Sequence, residues 1–164
     1  MKKLLFLILL ISGSVSIANA QVDYCKDIKK KFDEMKNNTT FVSPSISRLV
    51  DMTIEKDIGD GTGRPIFYIG FKLTKENAAY DYRNVYVKFD DGTIITYVQD
   101  IDCSYLNTED HYLFLGGKVL HAADLEILKT KKIVKFQMAD KDIVIPDDFG
   151  TKFKAWVNCM VDTK

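Results

Sequence analysis

Three tyrosines, Tyr82, Tyr86 and Tyr97, are the residues whose type and spacing point most directly to a task. Two β-rich runs, residues 85–89 and 93–98, flank Asp90-Asp91-Gly92. An Asp-Gly pair between such runs favours a tight turn with positive φ, and so predicts a hairpin. With Asp91-Gly92 as a two-residue loop, Phe89 faces Ile94, Val87 faces Thr96 and Val85 faces Val98, an apolar face suited to a core. The other face then carries Lys88 with Ile95, Tyr86 with Tyr97, and Tyr82 with Ile101. A row of exposed tyrosines stacks against sugar rings or a partner's aromatic side chains. A covering helix would bury the same row, and a helix bearing Phe153 and Trp156 is available for that purpose. A one-residue slip would exchange the two faces on one strand.

Other residues that could do chemistry form no constellation. His111 and His121 are the two histidines, and neither H-E-x-x-H nor paired C-x-x-C spacing occurs, so no metal site is expected. Cys103 stands beside Asp102 with His111 eight residues on, but a thiol nucleophile needs a base held at hydrogen-bond distance. No catalytic residue and no cofactor is assigned on this reading. Asp57, Asp60 and Gly61 hint at a calcium loop, yet the acids are wrongly spaced and the later Glu is missing. Lys129, Lys131, Lys132 and Lys135 make the one basic cluster, read as a solvated helix end where cations favour the helix dipole.

The address is clearer than the task. Lys2 and Lys3 precede a short apolar run, residues 4–11, and Ala18-Asn19-Ala20 closes the segment. This is the three-part pattern of a cleavable secretion signal over residues 1–20. Its core is shorter than the roughly 20 apolar residues a spanning helix needs, and no later stretch qualifies as a transmembrane segment. Cys25 lies too far past Ala20 to accept a lipid in the manner of lipoprotein signals. Removing residues 1–20 takes two of 23 basic residues and none of 23 acidic ones, leaving a formal charge of −2. A nearly neutral chain has no field to attract nucleic acid. Residues 21–164 are long enough to bury one core and are read as a single domain. Cys25, Cys103 and Cys159 allow three pairings; a chain of this size does not need a disulfide, and three buried or unpaired thiols are expected.

The elements that position these residues read as α+β. Cys25, Ile28, Phe32 and Met35 share a helical stripe, predicting a short amphipathic helix over residues 23–35. Residues 47–56 and 66–73 alternate as strands around a flexible Gly-rich loop. Residues 111–115 form a buried-type strand ended by Gly116-Gly117. A helix over 122–129, a strand over 133–138 and a strand over 142–145 follow. Pro146 and the acids Asp147 and Asp148 open a last helix with Phe149, Phe153, Trp156, Val157 and Met160 on its stripe, in preference to an alternating strand. The expected architecture is an antiparallel sheet of about six strands with two or three short helices packed on it.

The pattern resembles small exported proteins of the Bacteroidetes. The resemblance rests on the Ala-Asn-Ala-Gln signal end, Phe32-Asp33, Ser43-Pro44, the Phe89 to Ile94 hairpin, and Asp124-Leu125-Glu126-Ile127-Leu128 leading into residues 132–136. Those proteins are largely of unknown function, so no site residue carries over. The resemblance implies a Gram-negative envelope and a periplasmic or secreted location. The expected function is a non-enzymatic binding or interaction domain with a protein or glycan partner. The alternatives are a carbohydrate-binding module using the tyrosine face, and a small hydrolase.

Overall fold

The computed structural model describes residues 23–47, 50–59, 64–76, 84–98, 101–106 and 111–163. The signal segment, Tyr82 and the loop acid Asp60 lie outside them. The chain is α+β, as expected, and it has a six-stranded antiparallel sheet; a second sheet of four strands accompanies it.

The larger sheet is built on β3 (Val50–Ile58) and β4 (Ile66–Lys75). Met52 and Ile54 on β3, and Phe67, Ile69, Phe71 and Leu73 on β4, are buried, and their strand neighbours face the other way. That two-residue period is what one packed face demands. β8 (His111–Leu120) pairs with β4 along its length, from Phe67 opposite Leu120 to Lys75 opposite Tyr112. The predicted stop at Gly116-Gly117 is therefore corrected: the strand runs through both glycines, because β4 satisfies their backbone groups on one side. β7 (Asp102–Leu106) pairs with β8 and forms one margin of the sheet.

The opposite margin replaces the helix predicted over residues 23–35. A single 3-10 turn spans Tyr24–Asp27, with the Asp23 carboxylate accepting from the Cys25 N–H at 3.0 Å. β1 (Lys29–Asp33) and β2 (Asn38–Val42) then form a hairpin, and β2 pairs with β3. Asp33 decides this locally. Its carboxylate accepts from the N–H groups of Met35 and Lys36, and Asn37 takes a left-handed φ of 45°, so the chain turns where a helix would continue. Phe32 and Met35, half of the expected apolar stripe, are exposed, and Ile28 packs against the core. Lys29, Lys30 and Lys31 charge the outermost strand, which protects it from edge-to-edge pairing.

The second sheet comprises β5 (Val85–Phe89), β6 (Ile94–Val98), β9 (Ile133–Met138) and β10 (Lys141–Val144), in the order β10-β9-β5-β6. Its inner face packs on that of the larger sheet. Phe71 sits at the junction, 5.4 Å from the Phe136 ring and 6.3 Å from the Tyr97 ring, centre to centre. Lys75 ties the sheets at the β9–β10 turn through an ion pair to Asp140 at 2.6 Å.

Helix α1 (Ala122–Thr130) follows β8, and helix α2 (Asp147–Asp162) ends the described chain. α2 buries Phe149, Phe153, Trp156, Val157 and Met160, the predicted stripe. No described helix is long and apolar enough to cross a membrane. The thiol expectation is corrected here. Cys25 and Cys159 form a disulfide across 134 residues, and Cys103 is free and exposed. The pairing arises because α2 packs against the 3-10 turn, where the Trp156 indole N–H also donates to the Tyr24 carbonyl at 3.1 Å. Lys56, buried to 2 % exposure on the inner face of β3, donates its ammonium to the carbonyls of Met160 at 2.7 Å and Thr163. It lies 5.7 Å from the ring centres of both Phe41 and Phe67. A cation at the C-terminal carbonyls complements the helix dipole. Burial lowers the Lys56 pKa from the usual lysine value, so those carbonyls and rings must hold the charge.

Candidate binding site

Tyr86 and Tyr97 do not share a face of the hairpin, and Tyr82 lies outside the described residues. The hairpin loop holds three residues, Asp90-Asp91-Gly92, closed by Phe89 N–H to Thr93 O at 2.9 Å and Gly92 N–H to Phe89 O at 3.0 Å. Gly92 takes φ 86°, the left-handed position of such a loop. The third loop residue moves the register by one, so that Lys88 faces Ile94, Val87 faces Ile95 and Tyr86 faces Thr96. The extra residue on β6 is Tyr97, opposite the irregularity between Val85 and Tyr86. Tyr86 is 41 % exposed on the outer face of the four-stranded sheet, and Tyr97 is buried on the inner face at 1 %. The Lys118 ammonium lies 5.5 Å from the Tyr97 ring centre, and burial, with Asp124 nearby, pushes the phenol pKa up. The loop is held from outside: Asp90 pairs with the Lys132 backbone in both directions, and Lys131 bonds Asp91 at 2.8 Å, keeping that carboxyl at about 2.

The remaining candidates separate as well. His121 is the N-cap residue of α1, its N–H donating to the Asp124 carboxylate at 3.0 Å. His111 pairs in register with Leu106, whereas Cys103 pairs with Phe114, which sets the two backbones about 10 Å apart along the strands. Each lysine of the basic cluster has a carboxylate partner: Glu126 for Lys129, Asp91 for Lys131, Asp147 for Lys132 and Asp142 for Lys135.

What the fold does assemble is a groove of about 430 Å³ on the outer face of the six-stranded sheet. Two cross-strand rows line it. The floor row is Thr53, Gly70 and Gly117, paired in that order across β3, β4 and β8. One wall is Asp51, Lys72, Leu115 and Asp102, running from β3 to β7. Beyond the floor on the other side, outside the groove lining, the next row of the sheet is Glu55, Tyr68 and Val119. That row lies four residues from the wall row on each strand, about 13 Å between backbones. Two directly paired glycines leave the peptide planes bare, and a glycine inside a strand marks a place where another group can approach closely. Space there is tight sideways: a Cβ on Gly117 would lie 3.2 Å from the Ile69 carbonyl, and one on Gly70 would lie 3.1 Å from the Thr53 hydroxyl. Asp51 is half committed, since its Oδ1 accepts from the Ile46 N–H at 3.0 Å. Among the described residues, neither Lys72 nor Asp102 has a hydrogen-bond or ion-pair partner for its side chain. Leu115 and Val119 are exposed at 42 % and 44 %.

Sequence reasoning missed every residue of this groove. Gly70 was the available signal, a glycine inside an otherwise strong strand pattern. Its partner Gly117 reads as a strand end in sequence, and no local signal sets the two side by side.

Burial, with Asp57 adding to it, raises the pKa of Glu55 from the usual glutamate value. The folded protein therefore holds that proton more tightly than the unfolded chain does. Stability falls as pH rises through the unfolded pKa, near 4.3, and stays lower above the raised folded value. Glu55→Gln is expected to raise the melting temperature at neutral pH, and the difference from wild type should vanish below about pH 4. Thermal melts of both proteins across that range check it; a difference independent of pH would refute the assignment.

Comparison with protein-family models, with curated proteins and with solved structures finds no match to this chain.

Proposed function

We propose that this chain is a non-enzymatic binding domain of the cell envelope, periplasmic or secreted, and that it binds its partner through the outer face of the six-stranded sheet. The observation that carries this reading is the Gly70–Gly117 pair, which opens a groove on a sheet face that carries both apolar and charged side chains. The address rests on the signal pattern of residues 1–20. It is supported by the Cys25–Cys159 bond, of a kind that persists in oxidising compartments. The groove sits on regular strands, which hold its side chains in fixed register before any partner arrives.

Charge changes on the two outer faces test it. Lys72→Glu combined with Asp102→Lys alters the groove, and Lys88→Glu alters the outer face of the other sheet. Retention of each purified protein on immobilised envelope polysaccharide and envelope protein fractions is measured. The groove variant is expected to lose tenfold or more in affinity, with Lys88→Glu unchanged. Undiminished retention of the groove variant would overturn the proposal.

A further inference from the structure

The groove's chemistry points to one ligand class. We infer that the groove takes a short uncharged oligosaccharide and rejects an acidic one; this rests on the outer-face reading above. Two carboxylates, Asp51 and Asp102, stand in the wall row with one ammonium, Lys72. Carboxylate oxygens accept from pairs of sugar hydroxyls, and Asp51 keeps its second oxygen for that use after bonding Ile46. Lys72 supplies the donor and Thr53 a hydroxyl that both donates and accepts. Leu115 gives apolar surface in the wall row, suited to the C–H face of a sugar ring. The bare glycine floor lets a flat ring lie close to the peptide planes. Its three strands span about 10 Å, so the site is short, and the chain of the sugar would run across the strands. An acidic sugar brings a carboxylate beside two others, a like-charge juxtaposition that suppresses binding. A protein segment fits less well, because the free hydrogen-bonding groups here are side-chain carboxylates, an ammonium and a hydroxyl on a sheet face, not the unpaired backbone of an edge.

Titration of the ¹⁵N-labelled mature protein with neutral glucose and N-acetylglucosamine tetrasaccharides, and with a uronic acid tetrasaccharide, tests this. Neutral sugars are expected to shift the Gly70 and Gly117 amides, the uronic acid to shift neither. Thr53→Val keeps the shape of the floor and is expected to weaken neutral-sugar binding several-fold, and Asp102→Asn about tenfold. Binding of the uronic acid in the groove would overturn the ligand class and leave the outer-face reading intact. Shifts confined to other amides, or none at millimolar sugar, would overturn the glycan assignment. A protein retained in a manner that depends on Lys72 and Asp102 would, in that case, preserve the outer-face reading with a different occupant.

Discussion

Loss of the Cys25–Cys159 disulfide is expected to lower stability by about 5 kcal/mol, the chain-entropy value for a loop this long. The bond closes 134 residues, so in the unfolded chain it restrains nearly everything between the 3-10 turn and α2. For a chain of this size the corresponding drop in melting temperature is about 10–20 °C. Cys25→Ser with Cys159→Ser, or reduction of the wild type, should give the same fall. Cys103→Ser should leave the melting temperature in place, since that thiol is free and exposed. Calorimetry of the four samples decides the matter, and an unchanged midpoint on reduction would show that the bond does not form in the protein. Trp156 still fastens α2 to Tyr24, and Lys56 still caps it, so the reduced protein is expected to keep α2 docked at moderate temperature.

The second large effect belongs to Lys56. Lys56→Ala removes the donor for two carbonyls at the end of α2 and empties the space its stem fills between Phe41 and Phe67. Leaving the buried Met160 carbonyl unpaired costs about 1–3 kcal/mol and the emptied space adds to it, so a loss of about 3 kcal/mol is expected. Lys56→Met keeps most of the stem and removes the burial cost of a charge, so it should destabilise by less than Lys56→Ala. Denaturant unfolding of the three proteins measures both differences. Equal stability of Lys56→Ala and wild type would refute the capping role. Helical signal lost from the last turn of α2 in both variants would identify the carbonyls as the seat of the effect.

Lys56 and Tyr97 show where a sequence stops being readable. The alternation along β3 was legible, and Met52 and Ile54 fell inside as their period requires. Lys56 continues the same parity, and its burial depends on a helix more than a hundred residues later that brings carbonyls to its ammonium. Around Asp91-Gly92 the hairpin was legible, but the loop length was not. Asp90 exchanges hydrogen bonds with the Lys132 backbone, and that long-range contact accompanies the three-residue loop that turned Tyr97 inward. The N-terminal stripe was a fair helical pattern over residues 23–35, overridden by the Asp33 turn and by pairing of β2 with β3.

Local rules determined much of this protein from sequence alone: the α+β class, both helices, most strand positions, and the buried stripe of α2. They could do so because period, capping acids and turn residues act within a few residues of themselves. The tertiary structure alone decided the division into two sheets, the Cys25–Cys159 pairing, the burial of Lys56 and the sides of the sheet on which Tyr86 and Tyr97 lie. It alone set Gly70 against Gly117 and drew Asp51, Lys72 and Asp102 into one row. Each of those depends on which strand lies beside which, and strand pairing is a long-range choice made by the packing of the whole core.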